Sequence, residues 1–200
     1  MKLYDLFENL LSIPYERAKN YVDFATRYSD NVLYIYFQHS NGALDWKSNF
    51  DFPVKLYSGF YVHRGFLSAW KIAQDHLKSR ILDTGVRKIV VSGYSHGAAL
   101  AILCHGYIYD ARPDIRESIE SYGFGSPRVF WGIKTQKHEE IWAHFTVVKN
   151  IDDFITHLPP SVFGFFHIGK LIEIGKRGLY SPIDAHRPES YLSELKRLSE

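Results

Sequence analysis

The chain has 200 residues, 46% of them apolar and 16% aromatic, enough to bury a substantial core and to exclude intrinsic disorder. Its 24 basic and 22 acidic side chains leave a net charge of +2 without a basic stripe, so electrostatics gives no reason to expect a nucleic-acid partner. Cys104 is the sole cysteine, which excludes an intramolecular disulfide, and no segment approaches the roughly 20 apolar residues that cross a bilayer.

No linker, repeat or composition shift divides the chain, and one domain over residues 1–200 is expected. Asp5 and Glu8 stand where a signal peptide needs an uninterrupted apolar run, so a reducing cytoplasm is the default expectation. Leu3, Leu6, Phe7, Leu10 and Leu11 follow helical spacing until Pro14 interrupts it. Residues 16–28 are expected to continue as a second helix. "VLYIYFQ", residues 32–38, is a strand by its β-branched and aromatic content, and a short strand is expected around "PVKLYSG". Phe66, Trp70, Ile72, Ala73, Leu77 and Ile81 lie on or near one face of a helix over 64–84 that ends at Gly85.

"RKIVVSG" is a nearly continuous apolar run, the kind that both faces of a parallel sheet bury. Residues 95–111 read as the helix after it, "SIESYGFG" and "AHFTVVKN" as strands, "FFHIGKLIEIG" as a further strand, and "PESYLSELKRL" as an amphipathic helix. Strands alternating with helices of this length specify an α/β fold with a mostly parallel central sheet flanked by helices. Ligands of such sheets sit beyond the carboxyl ends of the strands.

Gly93-Tyr94-Ser95-His96-Gly97 lies at one of those ends and matches G-x-S-x-G, the nucleophile elbow of α/β-hydrolases. The turn is too tight for side chains at the flanking positions, and it holds the serine hydroxyl clear of the backbone. The following helix aims its N-terminal N–H groups at the same place. A buried-type strand before the motif and a long helix after it give weight to a pattern that is otherwise short. A serine nucleophile needs a base, and the base needs an orienting acid, in the chain order serine, acid, histidine. Asp152 and Asp153 follow a strand, and His138, His144, His157, His167 and His186 all come later than the elbow helix; residue order does not choose among them.

Four separated stretches resemble the class 3, or fungal-type, triacylglycerol lipases: "VHRGF", "YGFGSPRV", "DFITHLPPSVFGFFHIG" and "DAHRPESYL". They follow the family's order and, with the early strand, span residues 32–195. The resemblance implies the α/β-hydrolase fold and selects Asp153, five residues before Leu-Pro-Pro, as the acid, with Asp152 a solvated neighbour. It selects His186 as the base and assigns His167 to the His-x-Gly that is not the base. It also implies an oxyanion hole formed by the backbone N–H of His96 and by Ser40, six positions before Trp46. Gln38-His39 stands where the family has Arg-Gly, Tyr94 where it has histidine, Ala98 where glycine is frequent and Thr156 where proline is frequent. None of these removes a reacting group. Residues 41–50 occupy the family's lid position, and Ala43, Leu44, Trp46 and Phe50, apolar among Asp45, Lys47 and Asn49, suit a short amphipathic cover and a fixed surface turn equally.

These readings imply a serine carboxylic-ester hydrolase acting on acylglycerols or related lipid esters. The expected partners are a lipid or small-ester substrate and transient contact with a lipid surface, without nucleic acid. Two alternatives remain: a phospholipase or thioesterase of the same fold, and a catalytically silent binding module. No cofactor is expected, and no metal, because the chain has neither a CxxC pair nor HExxH. His105 and His138 are expected to be structural or surface residues.

Overall fold

Lys88–Tyr94 forms strand β6, buried along nearly its whole length as its Ile-Val-Val run requires. The computed structural model to which it belongs describes residues 2–18, 22–38 and 53–199. β6 is the middle of a seven-stranded sheet in the order β1 (Glu16–Arg17), β2 (Asp23–Ser29), β3 (Val32–Phe37), β6, β7 (Ile119–Phe124), β9 (Phe145–Asn150), β11 (Lys170–Ile174). From β3 to β11 all neighbours run parallel, and β1 and β2 add antiparallel strands at one edge.

Side chains alternate across this sheet. Leu33, Ile35, Ile89, Val91 and Val147 pack with helices α2 (Arg64–Ile81) and α3 (His96–Ala111). Tyr36, Val90, Phe124 and Val148 pack with α1 (Leu3–Ser12) and α5 (Pro188–Ser199) on the other face. The helical spacing of Phe66, Trp70, Ala73, Leu77 and Ile81 buries one stripe of α2 as expected. Arg112, just past α3, is buried and closes the end of α2: its guanidinium donates to the carbonyls of Ile81, Asp83 and Val86 at 2.8–2.9 Å.

The structure corrects two expectations and places a third element in a second sheet. The span 16–28 holds β1 and β2 instead of a helix. Asp30 and Asn31, at φ 50° and 62°, make a two-residue turn that folds β2 back onto β3, and this turn type matches the twist of paired strands. "FFHIGKLIEIG" is two strands in different sheets, β10 (Phe165–Phe166) and β11. Gly169 separates them at φ +74°, where an added Cβ would sit 2.3 Å from the Phe145 carbonyl oxygen. The strand expected around residues 53–59 belongs to a second, antiparallel sheet, ordered β10, β8 (Phe130–Trp131), β5 (Phe60–His63), β4 (Val54–Tyr57). Helix α4 (Gln136–Ile141) follows β8, and His138 caps it by accepting from the Thr135 N–H at 3.1 Å.

Candidate active site

The elbow has the geometry its glycines imply. A Cβ on Gly93 would stand 2.1 Å from the Gly97 carbonyl oxygen, and one on Gly97 would stand 2.2 Å from the Phe37 carbonyl oxygen. Only hydrogen fits at either place, so β3, β6 and α3 converge closely on the serine between them. Ser95 takes φ 57° and ψ −122°, a conformation that costs a non-glycine residue about 1–3 kcal/mol and persists only where its surroundings enforce it. Its N–H donates to the Phe124 carbonyl at 2.9 Å, and its carbonyl accepts from Ala98 at 3.0 Å.

Ser95, Asp153 and His186 meet. His186 Nδ1 lies 2.7 Å from Asp153 Oδ2, and its Nε2 lies 2.8 Å from Ser95 Oγ. A carboxylate only accepts, so Nδ1 carries the proton and donates to Asp153, which leaves the Nε2 lone pair to accept from the serine hydroxyl. Asp153 is fully buried, whereas the His186 side chain keeps 16% of its surface exposed.

The carboxylate is held at both oxygens. Oδ1 accepts from the Ile155 N–H at 2.9 Å, and Oδ2 accepts from the Tyr191 hydroxyl at 2.6 Å as well as from His186. Tyr191 in turn accepts from the Asn150 N–H at 3.0 Å, so one hydroxyl ties the acid to the end of β9. Burial and the adjacent Asp153 charge push the Tyr191 phenol well above its ordinary value, which keeps it a donor. The base is held through its backbone: Tyr94 donates to the His186 carbonyl, and its ring lies 5.2 Å from the imidazole at 25°. Asn150 donates to the Ala185 carbonyl at 3.1 Å. Phe7 from α1 touches Tyr94, Phe124 and Tyr191, with centroids 4.7–5.7 Å apart. A tyrosine five residues after His186 on the apolar face of α5 is the signal that could have pointed to this support.

The remaining residues singled out from the sequence fall elsewhere. Asp152 lies outside the triad and accepts from the Leu179 N–H at 3.1 Å. His167 donates from Nε2 to the Thr156 carbonyl at 2.7 Å, and burial lowers its pKa to about 4. Thr156 itself donates to the Asp153 carbonyl at 2.7 Å, so His167 supports the acid's turn from outside. His96 opens α3 beside Ser95, and burial followed by the nearby His63 lowers its ring pKa to about 4. Cys104 is buried in α3. Ser40 and the segment 41–50 at the lid position lie outside the described residues. Among those described, no three His, Cys, Asp or Glu side chains are grouped to hold a metal ion, and no helix is long and apolar enough to cross a membrane.

The family described as lipase (class 3) matches residues 34–163. A lipase of Rhizomucor miehei is 30% identical over 158 residues, 71% of this chain and 41% of that protein. Secreted mono- and diacylglycerol lipase 1 of Fusarium solani is 34% identical over 135 residues, 62% of this chain and 38% of that one. The chain thus spans about two fifths of the length of these relatives. A solved triacylglycerol lipase whose catalytic centre is described as a serine-protease triad is similar with a TM-score of 0.70 at 26% identity, covering 82% of this chain and 66% of that one.

Proposed function

The chain belongs to the class 3 lipase family, and from that premise we propose that it is a serine carboxylic-ester hydrolase acting on acylglycerols or related lipid esters. The observation that carries this reading is the unbroken line of hydrogen bonds from Ser95 Oγ through His186 to the buried Asp153. As Ser95 attacks the ester carbonyl, His186 takes its proton and delivers it to the leaving alcohol, and an acyl-enzyme forms. Asp153 fixes the imidazole tautomer and stabilises the imidazolium. Water then enters, His186 removes its proton, and the acid product departs with Ser95 restored. The developing oxyanion falls to the N–H of His96 at the start of α3 and to Ser40, and losing one such donor typically costs about 100- to 1,000-fold in rate. An ester suits this site because its alkoxide leaving group needs one well-placed proton. The names of the relatives support acylglycerols as the substrate class, with transient contact at a lipid surface.

The test is hydrolysis of p-nitrophenyl esters of graded chain length, with fluorophosphonate labelling and mass spectrometry of the modified peptide. Label on Ser95 and a rate loss of about 10⁴-fold or more in Ser95→Ala are expected. Label on another serine, or an unchanged rate in that variant, refutes the assignment.

A further inference from the structure

The base arrives on an element with little structure of its own. His186 ends a three-residue helical turn, Asp184–His186, too short to satisfy its carbonyls from within. All three accept from side chains of other elements. Asp184 accepts from Ser190 Oγ at 2.7 Å, Ala185 from Asn150 Nδ2 at 3.1 Å, and His186 from the Tyr94 hydroxyl. Ser190 lies on α5 and Asn150 ends β9, whereas Tyr94 stands on β6, the strand that leads into the nucleophile.

Tyr94 is the last residue of β6, and Ser95 follows it. Neighbouring Cα atoms are about 3.8 Å apart, whereas Ser95 and His186 are 91 residues apart in sequence. Strand alternation puts Tyr94 with Val90 on the face of β6 that packs with α1 and α5. There Phe7 and Tyr191 meet its ring edge to face, with centroids 5.3 and 5.7 Å away. The side chain is buried. Burial first, then the charges of Asp153 and Glu189, raise its phenol above the ordinary value, so it stays a donor. The same ring lies alongside the imidazole at 5.2 Å and 25°, an offset stack that fixes the plane of the base. A tyrosine that only filled the core would need its ring; it would not need a hydroxyl aimed at the carbonyl of the base itself.

We propose that Tyr94 is the positioning residue that sets His186 against Ser95. Its phenol fixes the backbone of the base and its ring fixes the imidazole plane, so adjacent residues of one strand carry the nucleophile and place its partner. Asp153 and Tyr191 then orient an imidazole whose distance from Ser95 Oγ is already set. The consequence for rate rests on the ester-hydrolase reading.

The experiment compares the parent with Tyr94→Phe, which removes one oxygen and keeps the ring. Urea midpoints first establish a temperature at which the variant is folded. On p-nitrophenyl butyrate, kcat should fall about ten-fold or more while KM stays within about two-fold. An alkoxide needs a proton from a well-placed imidazole more than a nitrophenolate does, so kcat/KM on ethyl butyrate should fall several-fold further. A role in stability alone would scale both esters equally. Proton NMR gives a measure independent of turnover: the His186 Nδ1 proton shared with Asp153 should resonate far downfield in the parent and shift or broaden in Tyr94→Phe. Tyr94→His, whose ring stops short of the phenol oxygen's position, should show the same effects and serves if Tyr94→Phe does not fold. An unchanged kcat with an unmoved resonance overturns the proposal and leaves the ester reading standing. So does an equal loss on both esters with an unmoved resonance. If the parent hydrolyses no ester but the resonance moves on substitution, the positioning role stands and the catalytic reading falls.

Discussion

Among the described residues there are two serine–histidine contacts, and only one is equipped for chemistry. Ser121 Oγ lies 2.7 Å from His105 Nδ1, as close as Ser95 Oγ lies to His186 Nε2 at 2.8 Å. His105 Nε2 must donate to the Ile141 carbonyl at 2.8 Å, so in both places the serine hydroxyl donates to the free ring nitrogen. The difference is at the far nitrogen. His186 faces a carboxylate, which stabilises the imidazolium, whereas His105 faces a neutral carbonyl. Burial lowers the His105 pKa to about 4, so its ring cannot hold a proton taken from serine near neutral pH. Ser121 also lies within β7, while Ser95 sits on a strained turn beside an imidazole that retains some exposure. Proximity of hydroxyl and imidazole is therefore not sufficient; charge at the second nitrogen and access to the first decide the role.

Removing the charge should break the contrast most severely. Asp153→Asn keeps the volume but permits the wrong imidazole tautomer, and ester hydrolysis should fall by about 10⁴-fold; steady-state rates check this. A smaller effect concerns acid stability. The His105 ring has a pKa of about 4 when folded against an ordinary 6.5 when unfolded, so the unfolded chain binds more protons between those values. Its contribution is complete above pH 6.5 and is lost as the pH falls through 4, amounting to about 3 kcal/mol. Urea midpoints at pH 7 and pH 4.5 should show His105→Gln losing less stability than the parent over that interval. Smallest of all, Ser121→Ala should cost about 2 kcal/mol of stability by orphaning His105 Nδ1 while leaving kcat/KM within about three-fold. A large catalytic loss in Ser121→Ala would erase the distinction between the two pairs.

The parallel sheet and the elbow were legible because long apolar strands, glycine positions and helical stripes are local patterns. The choice of Asp153 and His186 needed family resemblance, since five histidines had the right order and no local pattern marked one. Residues 16–28 misled because Glu16, Arg17, Ala18 and Arg27 suit a helix; the Asp30-Asn31 turn carried the contrary signal. The second sheet was hard to foresee, because strands of two residues such as β8 and β10 have no period to detect. The role of Tyr191 depends on α5 docking against β9, a contact between distant segments that no short window contains.

The imidazole and the phenol that steadies the carboxylate both come from residues 184–199, long after the elbow. A chain cut before residue 184 keeps Ser95 and Asp153 in its sequence but carries neither the imidazole nor the phenol. Under the proposed mechanism such a fragment is expected to be inert instead of weakly active.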